Sequence, residues 1–212
     1  MLLQYYDFEV TTIDGKRHYV TPDGALPSVT TITSATKSPE AKQALERWKK
    51  ANPNNDAAER GTWVHSRIEE HLQGLEIRLD SPDYKPWFDS ASVFLNDHTI
   101  ESLLIESVLW VPNGYAGRCD CVALLDGVPT LIDWKTSTRR KKEEWVTDYL
   151  DQAGAYYRAG QLMYGDDWIT QAKIVIAIPN SDPQVFTLDI EALEWRIHCF
   201  RQRWQDFMAN YV

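Results

Sequence analysis

Gly117-Arg118-Cys119-Asp120-Cys121-Val122-Ala123-Leu124-Leu125, then Asp126-Gly127, then Val128-Pro129-Thr130-Leu131-Ile132-Asp133-Trp134-Lys135 places two apolar runs on either side of a two-residue turn signal. Such a pattern predicts a β-hairpin, because Asp-Gly supplies the positive φ angles that a tight turn between twisted strands requires. Closing the turn on two residues pairs Leu125 with Val128 and sets Asp120 opposite Asp133. Like charges in directly opposed positions destabilise a ladder, so the arrangement calls for a cation between them. Lys135, two residues beyond Asp133, projects from the same face. If Pro129 lengthens the loop, the register slips by two and Asp120 meets Lys135 instead; the three groups share a face either way.

Working outward, Ile105 to Val111 supplies a preceding strand through the turn Pro112-Asn113-Gly114, so that a three-stranded antiparallel meander runs to Thr136. A helix is predicted from about Thr147 to Tyr164, then a buried strand at Ile174-Val175-Ile176-Ala177-Ile178 and a short one at Gln184 to Leu188. Ile190, Leu193, Ile197, Phe200, Trp204, Phe207 and Tyr211 recur at alternating steps of three and four, one apolar stripe on a last helix. That stripe suits a helix lying on the sheet better than a coiled coil. Upstream, residues 4 to 33 read as short strands and turns, including the β-branched Pro27-Ser28-Val29-Thr30-Thr31-Ile32. Ser38-Pro39-Glu40 opens a helix with the apolar face Ala41, Ala44, Leu45 and Trp48, which Asn52-Pro53-Asn54 ends. A second helix covers about Ala57 to Leu72 with Val64, Ile68 and Leu72 at helical spacing, capped by Gly74, and residues 86 to 97 form a third. Helices, meander, helix, two strands and helix make an α/β sandwich. It reads as one domain over residues 1 to 212, with a strand and helix extension over about 1 to 56.

At 212 residues and 43% hydrophobic the chain can bury a substantial core. A formal net charge of −9 excludes a histone-like or cationic membrane-surface protein, yet leaves nucleic acid open through a local basic patch or through cations that cancel carboxylates. Three cysteines, Cys119, Cys121 and Cys199, are too few for a disulfide framework or a four-ligand cluster. Cys119 and Cys121 alternate with Asp120 and are expected together on its opposite side as small core residues. The start of the chain lacks the charge and apolar pattern of a signal peptide, and no stretch approaches the ~20 apolar residues of a membrane span, so a cytoplasmic protein without a membrane partner is expected.

Two carboxylates and a lysine on one face suit phosphodiester hydrolysis with a divalent cation. An isolated Asp-x-Lys arises about once in a chain of ordinary charged composition; the opposed Asp120 sets this one apart. His65 lies beside the apolar stripe of the second helix with Glu69 one turn on, and Gln152 and Tyr156, also one turn apart, mark the polar edge of the helix after the meander.

The ordered set Arg60-Gly61-Thr62-Trp63-Val64-His65, Gly117-Arg118-Cys119-Asp120, Asp133-Trp134-Lys135-Thr136-Ser137 and Gln152-Ala153-Gly154-Ala155-Tyr156 resembles the PD-(D/E)XK nuclease superfamily in its RecB-like branch. Leu26-Pro27-Ser28-Val29-Thr30-Thr31-Ile32 and the helix holding Arg47-Trp48 are similar to mitochondrial and phage-encoded exonucleases of that branch. The resemblance implies a restriction-endonuclease-like core, a mixed central sheet with the meander flanked by helices. It implies Mg²⁺ or Mn²⁺ bound by His65, Asp120, Asp133 and the carbonyl of Trp134, with Lys135 as catalytic lysine. Gln152 and Tyr156, with Ser28 and Thr30, would contact the strand or support the site. Glu106 could match an acidic residue at the start of the meander, but no local motif fixes its alignment.

Some relatives carry a four-cysteine iron–sulfur cluster, for which this chain has too few cysteines; none is expected. The expected activity is a metal-dependent DNA exonuclease acting on single strands or flap ends, in a bacterial or phage-infected cell, beside replication or recombination proteins. The alternatives are a structure-specific endonuclease of the same fold and a catalytically silent nucleic-acid-binding module. Basic side chains at Arg47, Lys49, Lys50 and Arg139 to Lys142 could meet phosphates.

Overall fold

The computed structural model describes residues 3–53 and 55–211. In chain order the elements are β1 (Val10–Ile13), β2 (Lys16–Thr21), β3 (Gly24–Pro27), α1 (Val29–Ala35), α2 (Pro39–Ala51), α3 (Ala57–Leu72), α4 (Lys85–Asp97), β4 (Ile100–Val111), β5 (Tyr115–Leu125), β6 (Val128–Thr136), α5 (Thr147–Tyr164), β7 (Gln171–Ala177), β8 (Gln184–Leu188) and α6 (Ile190–Tyr211). The hairpin forms in the unslipped register, Leu125↔Val128 through Cys121↔Ile132, and Asp126 and Gly127 take φ of 51° and 83°. Pro129 is absorbed within the ladder, opposite Leu124.

Five strands form one mixed sheet in the order β4-β5-β6-β7-β8, in which β6 and β7 are the parallel pair and α5 makes the crossover. One face carries a core of Ile32, Leu109, Leu131, Trp168, Ile174 and Phe200, to which α1, α5 and α6 contribute. The opposite face carries Val64, Ile68, Phe94, Ile132 and Trp134, to which α3 and α4 contribute. Along α6, Leu193, Phe200 and Phe207 are buried while Ile190 and Tyr211 at its ends are 38% and 40% exposed, so the stripe packs as a helix on the domain. Its axis comes close to α5 at Gly154, where a Cβ would fall 2.5 Å from the Arg196 carbonyl carbon. Among the described residues no helix is long and apolar enough to cross a membrane.

Three local expectations are corrected. The β-branched run after Pro27 is not strand: the Ser28 side chain accepts the Thr31 N–H at 3.0 Å and starts α1, a cap outweighing modest helix propensities. The first meander strand starts at Ile100 rather than Ile105. Cys119 and Cys121 are both buried, but on opposite faces of the sheet, Cys119 with α5 and α6 and Cys121 with α3 and α4. Simple alternation fails along the stretch of β5 that faces Glu106 of β4, whose φ is 52° between the pairs Ile105↔Cys121 and Ser107↔Cys119.

In the N-terminal segment β1-β2-β3 form a separate antiparallel sheet. Tyr19 and Leu26 of that sheet pack on Val108 and Ala116 of β4 and β5, which brings β2 to the edge of the site. The expected end of α2 is at Asn52, its C-cap; Asn54 lies outside the described residues.

Candidate metal centre

The main sheet forks where the motif residues lie. Beyond Cys121↔Ile132, β5 continues beside β4 alone and β6 beside β7 alone, as far as Thr136↔Ala177. Asp120 and Asp133 are the first residues past that last pair. The Trp134 N–H, which has lost its strand partner, donates to Asp120 Oδ2 at 2.7 Å. A carboxylate thereby substitutes for the ladder at the parting point, and the wedge between the strands opens into a cleft of about 440 Å³.

Each wall of the cleft comes from a different element. α3 is anchored by buried Val64 and Ile68, which turns His65 and Glu69 toward the fork. His65 Nδ1 stands 3.6 Å from Asp120 Oδ2, and single ligand atoms of His65, Glu106 and Asp120 all lie within 4.8 Å of one another. Glu106 reaches the cleft because of its left-handed backbone, a conformation unfavourable for a non-glycine residue and found where surrounding structure enforces it. The Arg118 guanidinium donates to its carbonyl at 2.5 Å and also pairs with Asp7. Burial pushes the Glu106 carboxyl up to about 7, with Asp120 and Glu69 adding to the effect.

Asp133 is 2% exposed and neither of its oxygens has a hydrogen bond of acceptable geometry. Lys135 Nζ approaches Oδ2 at 2.6 Å as an ion-pair partner. Burial raises the Asp133 carboxyl above the usual carboxylate range against the pull of Lys135, and Asp120 raises it further. For Lys135 burial acts to lower the pKa, but Asp133 and Asp120 together outweigh it and hold the ammonium above its ordinary value. The ammonium also lies 5.3 Å from the centre of the Tyr149 ring.

Gln152 and Tyr156 are not on a polar edge: both are buried, and they form a relay in which Gln152 Nε2 donates to Tyr156 Oη at 2.9 Å and that hydroxyl donates to the Arg118 carbonyl at 2.8 Å. Tyr156 can lie against β5 because residue 117 is glycine; a Cβ there would sit 2.6 Å from the tyrosine ring. Ser28 and Thr30 also line the cleft, their hydroxyl oxygens 3.0 Å apart, although the Ser28 oxygen is committed to capping α1. Trp134 turns its side chain away into the α3–α4 core, edge-on to Phe94.

The structure thus gathers His65, Asp120, Lys135, Gln152, Tyr156, Ser28 and Thr30 around one cleft, with Asp133 buried just beneath Lys135. It adds Arg17, Tyr19 and Arg118, and brings to the same cleft Glu69 and Glu106, the acids noted beside His65 and at the start of the meander. The alternation of Arg118 with Asp120 was a readable signal; nothing in the sequence marks the left-handed turn at Glu106 or the approach of β2. His65, Glu106 and Asp120 suit a divalent cation by donor type, and their crowding with buried Asp133, for which Lys135 is the one close cation among the described residues, leaves room for further positive charge in the same place. The residues present therefore fit the metal that the resemblance implies.

No family model matches the chain. Among curated proteins it is 28% identical over 130 residues to mitochondrial genome maintenance exonuclease 1 of the mouse, Mus musculus, a match covering 55% of this chain and 38% of that protein. The chain therefore spans well under half the length of that relative. Among solved structures, a candidate exonuclease from Eubacterium rectale overlaps 70% of this chain and 66% of its own at 12% identity and a TM-score of 0.45. LHK-Exo, solved in complex with dAMP, overlaps 87% and 86% at 13% identity and a TM-score of 0.39. Overlaps of that quality add no weight to the fold, which rests on the strand order above. The sequence match and the ordered motifs agree in making the chain resemble PD-(D/E)XK nucleases.

Proposed function

We propose that the chain is a metal-dependent deoxyribonuclease, an exonuclease that hydrolyses single-stranded DNA or flap ends. The observation that carries this reading is the fork itself: Asp120, Glu106 and His65 converge on it, and Asp133 pairs with the half-buried Lys135 ammonium at the same cleft. A Mg²⁺ or Mn²⁺ ion held by His65, Asp120 and Glu106, with Asp133 and the Trp134 carbonyl as the further donors the resemblance implies, would polarise the phosphoryl oxygen and acidify a water.

The chain's own groups account for the remaining requirements. Lys135, paired with Asp133, acts as a cation beside the phosphate and stabilises charge developing on the non-bridging oxygens. Asp133 holds that ammonium in place. Arg17 and Arg118 at the mouth offer phosphate contacts, and the Gln152–Tyr156 relay fixes the β5 backbone next to Asp120. Replication or recombination proteins are the natural partners of such an activity.

The test is a gel assay of end-labelled single strands and flaps against closed circles, with Mg²⁺, Mn²⁺ or EDTA. Release of mononucleotides or short products from ends, absent on circles and in EDTA, is expected. Cleavage of closed circles would replace the exonuclease with an endonuclease of the same fold, and full activity in EDTA would remove the metal from the mechanism.

A further inference from the structure

α2 is an amphipathic helix without a buried residue: its apolar side chains Leu45 and Trp48 are 38% and 47% exposed. They line an open second cavity of about 870 Å³, whose other wall is the end of β6 and the segment that follows it, Thr136 to Lys141. That segment is the most basic in the chain, Arg139-Arg140-Lys141-Lys142. Among the described residues Arg139, Arg140 and Lys141 form no salt bridge, and the acid in the wall, Asp56, is already paired with Arg60 at 2.9 Å.

The basic segment is built into place. Ser137 Oγ donates to the Arg139 carbonyl at 2.6 Å and accepts the Arg139 N–H at 3.2 Å, and the Gln184 side chain brackets the Lys141 backbone with hydrogen bonds of 2.7 and 2.8 Å. Burial lowers the pKa of Lys141 and its neighbour Arg139 lowers it further, a crowding of positive charge that an anion would relieve. The cavity also adjoins the cleft. Thr136 lines the cavity and Gly61 the cleft, and a Cβ on Gly61 would stand 4.0 Å from Thr136 Oγ1, so the two spaces meet there.

We infer that this second cavity is a seat for a single strand of nucleic acid, continuous with the cleft, in which Trp48 stacks on an unpaired base and Arg139 and Lys141 hold the phosphates that flank the scissile one. The inference rests on the nuclease reading for the identity of the cleft. Its occupant follows from the wall: cations fixed along one side and an exposed indole on the other match alternating phosphates and base faces, and a duplex keeps its base faces stacked inside.

Binding of fluorescein-labelled oligothymidylates of about 4 and about 16 nucleotides, a length range that spans known single-strand site sizes, is measured by anisotropy on the full chain in EDTA. Without a cation the carboxylates of the cleft repel the strand, so the groove is read apart from the metal centre. Affinity for the longer strand should fall about 10-fold or more in Trp48→Ala and be retained in Trp48→Phe. Arg139→Glu with Lys141→Glu should reduce the slope of log affinity against log salt by roughly 1.4. Lys173→Glu, near the β5–β6 turn, is a charge reversal outside the groove and should bind as the parent does. The inference is overturned if the groove variants bind the longer strand normally, if Trp48→Phe loses as much as Trp48→Ala, or if duplex binds as tightly as single strand. Groove variants that lose binding while the parent fails to cleave in Mg²⁺ or Mn²⁺ would keep the strand seat and reject the nuclease.

Discussion

Glu106→Gln should stabilise the metal-free protein at neutral pH and do so only there. The carboxyl has a pKa near 4.3 in an unfolded chain and is pushed up to about 7 by burial and by Asp120 and Glu69 in the fold. Because the native state holds this proton more tightly, stability is complete below the unfolded value, declines as pH rises through the interval between the two, and is level again above about 7. At 1.36 kcal/mol per pH unit the full interval would amount to ~4 kcal/mol, and screening on the solvent side of the cleft leaves on the order of 1–2 kcal/mol. In a domain of this size that is a rise in Tm of roughly 2–8 °C. Glutamine keeps the shape and the left-handed backbone and removes only the titration, so melting curves of variant and parent in EDTA should coincide near pH 4 and separate by pH 7.5. Adding Mn²⁺ should then raise the Tm of the parent more than that of the variant. A variant that melts below the parent by the same margin at both pH values would show that Glu106 holds the β4–β5 irregularity together and is not a charge awaiting a cation.

Asp120→Asn should abolish cleavage. It should leave the melting temperature in EDTA within a few degrees, because the amide oxygen can still accept the Trp134 N–H while one of the crowded charges is gone; a large fall would assign Asp120 a structural role. Lys135→Ala should slow single-turnover cleavage by ~10²-fold or more with little loss of strand affinity in Ca²⁺, and Lys135→Arg should not restore it, since a planar guanidinium cannot replace a compact ammonium buried against Asp133. Equal losses in binding and cleavage would make Lys135 a strand-positioning residue. Gly117→Ala should destabilise by about 1–3 kcal/mol, the usual range for overpacking, because its methyl group would meet the Tyr156 ring at 2.6 Å. A thermal melt equal to that of the parent would show that Tyr156 is free to move.

The hairpin was legible because a two-residue turn and a two-residue period leave one register in which both apolar sides stay buried, and that register holds to its last pair, Cys121↔Ile132. The stripe on α6 was legible for the same reason at a period of 3.6. What could not be read were the places where local rules compete with each other or with contacts remote in sequence. Ser28 turns a β-branched run into a helix through a single hydrogen bond, which propensity alone weighs the other way. Glu106 adopts a backbone conformation that no neighbouring glycine or asparagine announces. Gln152 and Tyr156 look like surface polar residues until β5 supplies the Arg118 carbonyl that satisfies them.

These failures cluster at the fork, and there is a physical reason for that. A site that gathers acidic groups works against the preferences that make sequences readable: it buries charge, interrupts a ladder and holds a residue in the left-handed region. The chain sustains this because each departure is braced by ordinary structure. The Trp134 N–H finds Asp120, the Arg118 guanidinium takes the Glu106 carbonyl, and the Tyr156 hydroxyl takes the Arg118 carbonyl. Opposed Asp120 and Asp133 were visible in advance, because like charges placed across a predicted ladder already conflict with it. The structure resolves that conflict by parting the strands where the charges would meet, and the gap so made is the cleft.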